Sequence, residues 1–98
     1  IIKGLFEGEL ILRNIPATIA QEVGRLIRGF GRRATRRDPQ HRIVALEQGK
    51  AFWRITTTEN QLAVKLAQKI RETFKRAVLT ISYSREPFEV GRVNLMFA

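Results

Sequence analysis

The sequence predicts an α+β fold in which two helices cover one face of an antiparallel sheet. Three observations carry that expectation. Five segments have strand patterning, two carry apolar residues at helical spacing, and they follow one another as strand-helix-strand-strand-helix-strand with one strand more. Ninety-eight residues suffice for one domain and one core, here 1–98. With 44% hydrophobic and 28% charged residues, three prolines and seven glycines, the composition is that of a folded chain. The chain begins at Ile1 and is read as a piece of a longer one.

Residues 9–15 are rich in aliphatic side chains and end at Pro16, which reads as the first strand. Thr18 with Gln21 has the spacing of a capping box. Ile19, Val23, Leu26, Ile27 and Phe30 then share one helical face, so a helix is expected over roughly 18–30, with Gln21, Glu22, Arg25 and Arg28 on its wet side. Gly29 and Gly31 offer left-handed stops. Residues 31–41 read as a polar, arginine-dense loop closed by the Asp38-Pro39 turn.

Residues 42–47 and 51–57 form two strands around Gln48-Gly49-Lys50, a hairpin with glycine in its turn. Alternation sends Ala51, Trp53 and Ile55 toward the helices. It sends Lys50, Phe52, Arg54 and Thr56 to the open face, beside Ile11, Arg13, Thr80, Ser82 and Ser84. A second capping-box spacing, Thr58 with Gln61, opens a helix to about residue 75 along Leu62, Leu66 and Ile70. Residues 77–84 and 90–97 alternate again as fourth and fifth strands. The result is a ferredoxin-like βαββαβ sandwich with an extra C-terminal strand.

Two segments resemble the RNA-recognition motif family. Leu10-Ile11-Leu12-Arg13-Asn14-Ile15-Pro16 is similar to its first-strand signature, and Gly49-Lys50-Ala51-Phe52-Trp53-Arg54-Ile55 falls where the longer signature sits. The likeness runs over residues 9–84 in order and length. It implies a sheet that holds RNA. Of the three stacking aromatics the family presents, Phe52 is the one kept; Ile11, Lys50 and Ile55 stand in slots that are usually aromatic.

Charge points to the partner. Eighteen basic residues against nine acidic ones give +9, and thirteen of the eighteen are arginine, whose planar fork suits phosphate. Arg25, Arg28, Arg32, Arg33, Arg36, Arg37 and Arg42 crowd between residues 25 and 42, with His41 beside them and Asp38 the single acid. Such a run repels itself until an anion binds. Plain solubility and a nuclear-localisation patch are the alternative uses of such a run. Arg13, Lys50, Phe52 and Arg54 would add a second contact on the sheet, where a base stacks on Phe52 unless the extra strand or a second copy covers it.

Catalysis is not expected. The chain has no cysteine and a single histidine, which excludes disulfides, thiolate metal sites and an all-histidine centre. Ser82, Tyr83 and Ser84 lack triad partners, and no phosphate-binding glycine loop occurs. Acylphosphatases share the length and topology, but Arg13-Asn14-Ile15-Pro16 stands where their glycine-rich loop would be. No cofactor is implied. His41 reads as a solvent-exposed helper of phosphate contact. No apolar run approaches the ~20 residues of a bilayer span and no secretory signal is read in these residues; a cytoplasmic location is expected.

The expected function is an RNA-binding module, ribosomal or other structured RNA being its partner. The alternatives are a ferredoxin-like interaction domain, dimeric or paired with an acidic protein, and a DNA-binding role, for which no recognition helix is evident.

Overall fold

Residues 8–75, 77–84 and 90–97 are described by the computed structural model, with side chains for all of these except 79–84, 90 and 91. The elements are β1 (Gly8–Arg13), α1 (Ala20–Arg37), β2 (Ile43–Gln48), β3 (Phe52–Thr57), α2 (Asn60–Phe74), β4 (Ala77–Ser84) and β5 (Val90–Phe97). They make a mixed α+β domain of two helices and one five-stranded sheet, ordered β2-β3-β1-β5-β4. No helix among the described residues is long and apolar enough to cross a membrane.

The fifth strand is not appended outside the other four, and the sheet is not wholly antiparallel. β5 enters between β1 and β4, parallel to β1 with Leu10 opposite Val93 and Leu12 opposite Leu95, and antiparallel to β4. Burial explains the order. Val93, Leu95 and Phe97 alternate along β5 and are all but inaccessible, whereas Val78 of the edge strand β4 is 67% exposed. Each of the three contributes roughly 1.5–3 kcal/mol by burial, and a place between β1 and β4 sets them beneath α2.

Leu10, Leu12, Ile55, Val93, Leu95 and Phe97 from the sheet meet Val23 and Ile27 of α1 and Ala63, Leu66, Ala67 and Ile70 of α2 in one core. Both helices therefore lie on one face. Trp53 packs half-buried against that core while its neighbour Phe52 is 39% exposed on the opposite face, as the alternation of β3 predicts. The hairpin closes with the Gly49 N–H donating to the Phe52 carbonyl at 3.1 Å. Gly8 is needed where β1 meets α2: a Cβ there would stand 2.3 Å from Thr57 Oγ1 and 2.6 Å from the Glu59 carbonyl.

Neither capping box forms. Ile19 occupies the N-cap of α1 and Glu59 that of α2, both without a side-chain capping bond. The Thr58 hydroxyl instead accepts the Arg42 N–H at 3.0 Å, and the Thr57 hydroxyl donates to the Glu59 carbonyl at 2.7 Å. At Thr58 a contact sixteen residues distant in sequence outcompetes the local cap.

The largest departure is α1, which continues through Gly29 and Gly31 to Arg37. Residues 31–37 are helix, not loop. Arginine is a strong helix former, and neither glycine adopts the left-handed stop. Gly31 serves a close approach: a Cβ would lie 2.9 Å from Ile43 Cδ1, so its absence lets α1 settle against β2. The helix ends at Asp38, whose N–H bonds the Ala34 carbonyl at 2.9 Å.

Candidate nucleic-acid interface

Helical spacing sets Arg25, Arg28, Arg32 and Arg36 in a stripe of about 16 Å along the outer side of α1. Arg33 and Arg37 run beside it, toward Leu62 and Lys65 of α2. All six are exposed, and past Gly29 the helix has no fully buried residue, so its last two turns present arginine to solvent. Like charges four apart, Arg28 with Arg32, Arg32 with Arg36 and Arg33 with Arg37, cost ~0.2–0.5 kcal/mol each. Arg36 and Arg37 recover part of this against the negative helix end. Among the described residues no carboxylate pairs with any of the six, nor with Arg42.

The turn after α1 is tied down. Thr35 Oγ1 donates to the His41 carbonyl at 3.0 Å, and Asp38 Oδ1 accepts the Gln40 N–H at 3.0 Å. His41 shares a surface hollow with Arg33, Arg37 and Lys65, and it is also drawn to acids. Its Nε2 lies 3.2 Å from Glu59 Oε2 and 3.6 Å from Asp38 Oδ2, between two carboxylates. Asp38, the one acid in the basic segment, is thereby turned to histidine instead of arginine.

The open sheet face is differently made. Glu9 is buried at its centre, and both Arg54 of β3 and Arg92 of β5 donate to its carboxylate. Arg54 also reaches Glu47 at 3.4 Å. Burial pushes the Glu9 carboxyl up, but hydrogen bonds and charge from Arg54 and Arg92 outweigh it and hold the group below the ordinary glutamate range. Its hydrogen bond raises Arg54 further. Arg54 is thus committed to the sheet, which its sequence neighbours do not reveal.

At one end of this face the register aligns Phe52, Arg13, Met96 and Val78 across four strands. The Arg13 guanidinium sits over the Phe52 ring, 5.2 Å from its centroid, and Met96 is 48% exposed. Arg13 and Phe52 are therefore brought together as expected, with the ring face already occupied. Lys50 falls in the exposed hairpin turn rather than on the sheet. Thr80, Ser82 and Ser84 keep their places in β4, but their side chains lie outside the described ones.

One feature of this side is not announced by the pattern of the sequence. Between α1 and the edge strand β2 runs a groove of about 680 Å³, floored by Ile27, Gly31, Ile43 and Leu46 and rimmed by Arg28, Arg32, Arg36 and Arg42. Gly31 in mid-helix is the one signal that could reveal it. Compared with protein-family models, curated proteins and solved structures, the chain has no match.

Proposed function

We propose that this domain is an RNA-binding module that grips backbone phosphates of structured RNA, ribosomal RNA included, through α1 and the start of β2. The observation that carries it is the row of α1 arginines with no carboxylate partner among the described residues. A folded chain that tolerates such self-repulsion gains when phosphates replace condensed counterions. Arg25, Arg28, Arg32, Arg33, Arg36, Arg37 and Arg42 are the phosphate-binding residues, the first six held on a helix that fixes their spacing. Arg13 and Phe52 are a secondary contact, His41 lies beside Arg33 and Arg37, and Arg54 and Lys50 drop to the margin. No residue is assigned a catalytic role, and the cytoplasm is the proposed location.

The topology has a finer reading as well. With β5 removed, the order β2-β3-β1-β4 remains, with helices after β1 and β3. That supports a ferredoxin-like framework into which a fifth strand has been inserted. The test is fluorescence anisotropy with labelled single-stranded and hairpin RNA over a salt series. The expected result is binding whose affinity falls steeply with salt, similar across sequences and stronger than for DNA of the same form. No binding of either RNA at low ionic strength overturns the reading.

A further inference from the structure

We propose that the groove between α1 and β2 takes an extended segment of a partner protein whose groove-facing side chains are aliphatic at its centre and acidic toward its ends, and that this segment adds a sixth strand to the sheet at β2.

Three features converge on that occupant. The first is the strand edge. Among the described residues β2 pairs with β3 alone and ends the sheet. The hairpin bond from the Gly49 N–H to the Phe52 carbonyl sets the alternation of the ladder, which turns the backbone N–H and C=O of Leu46 and Gln48 outward. Exposed edges of this kind are templates for pairing, and proteins commonly blunt them with lysine or proline. β2, Ile-Val-Ala-Leu-Glu-Gln, has neither; its ladder is irregular between Ile43 and Ala45, where Val44 is 44% exposed, and regular from Ala45 to Gln48, the stretch left for pairing.

The second is the apolar floor. Ile27, Ile43 and Leu46 line an apolar trough of about 680 Å³, where Gly31 lets the Ile43 side chain lie against α1. A sugar-phosphate chain has no aliphatic groups to place there. Every second side chain of a strand would point into it.

The third is charge. The rim arginines 28, 32, 36 and 42 have no carboxylate among the described residues, so an occupant that brings its own carboxylates gains ion pairs without breaking any. Edge, floor and rim together ask for an extended backbone with aliphatic and acidic side chains. A peptide in the groove does not depend on RNA binding, although both ligands would use Arg28, Arg32 and Arg36.

The test uses the 98-residue chain and a fluorescent peptide of about nine residues whose alternate, groove-facing positions carry valine at the centre and glutamate toward both ends, with threonine at the positions between. Two further peptides are N-methylated on one or the other alternate set of backbone amides. Strand addition predicts that one methylated peptide loses at least about tenfold in affinity while the other keeps it, because only one set of N–H groups meets β2. The Arg32→Gln/Arg36→Gln variant should also lose about tenfold, and a peptide with lysine for glutamate should not bind. Amide shift changes should gather at residues 43–48 and leave Arg13 and Phe52 unmoved. Equal binding of both methylated peptides, or none of the parent peptide up to about 1 mM, overturns the proposal. A hairpin RNA is titrated in parallel: RNA bound without peptide overturns this inference alone, and peptide bound without RNA overturns only the phosphate reading.

Discussion

On the open face of the sheet, Arg13 lies over Phe52 and both Arg54 and Arg92 hold Glu9, whereas the six arginines of α1 hold no carboxylate among the described residues. The two regions use one residue type for opposite ends. Within the sheet, guanidinium forks neutralise a buried acid and knit β3, β1 and β5 across the open side. On the helix, the same forks are spaced, exposed and mutually repulsive. A count of positive charges treats both groups alike; only their partners separate the structural arginines from those left to bind. The contrast extends to the floor beneath them, since the sheet arginines surround a carboxylate and the helix arginines border an apolar groove.

The sharpest way to break the comparison is to replace Arg32, Arg33, Arg36 and Arg37 by glutamine. RNA affinity at low salt should fall by about ten- to a hundredfold, and the log–log salt slope should drop by roughly 0.7 for each single-strand phosphate that is no longer neutralised. The melting temperature should hold or rise slightly, because glutamine keeps helix propensity and relieves like-charge pairs. Anisotropy and thermal melts on one preparation read both.

The reverse pattern is expected at Glu9. Glu9→Gln removes the charge that Arg54 and Arg92 share and should cost about 2 kcal/mol, read by denaturant unfolding, with RNA affinity unchanged. A large loss of RNA binding in folded Glu9→Gln protein would erase the distinction between the two regions.

Acid should act through the same carboxylate. Its folded-state value lies below the ordinary one, so its contribution to stability is complete above about pH 4.3 and is lost as pH falls through the lower folded value. Wild type should therefore lose more stability than Glu9→Gln on acidification below about pH 4.3, as denaturant midpoints will show.

The smallest effects belong to the sheet side. Arg54→Gln should change RNA affinity by less than about threefold, its guanidinium being engaged with Glu9 and Glu47. Phe52→Ala should cost under about 1 kcal/mol, the size of a cation–π contact at an exposed position. A tenfold fall in RNA affinity for either variant would return the RNA site to the sheet.

Much of this is legible in the chain. Gly49 between two alternating runs announces the hairpin, and the register that buries Ile55 and exposes Phe52 follows from it. What escapes depends on residues far apart. Gly29 and Gly31 carry the local marks of a helix stop, yet Gly31 answers to Ile43 twelve positions on. Thr58 has capping-box spacing, but the Arg42 N–H claims its hydroxyl across sixteen residues. Arg54 looks available beside Phe52 because Glu9 stands 45 residues away. Alternation reveals that β5 is a strand, but period two says nothing about where in a sheet a strand goes.

The place of β5 bears on how the molecule comes into being. Its central ladder joins β1 to the last described strand, and Glu9 meets Arg92 across 83 residues. On a ribosome, β1, α1, the hairpin and α2 emerge before the strand that completes their shared core. Until it arrives, β1 has an unpaired flank and Leu10 and Leu12 lack their partners Val93 and Leu95. The nascent chain must therefore wait, half-assembled and strongly basic, for β5. Closing so long a loop makes the last pairing slow compared with the hairpin that precedes it.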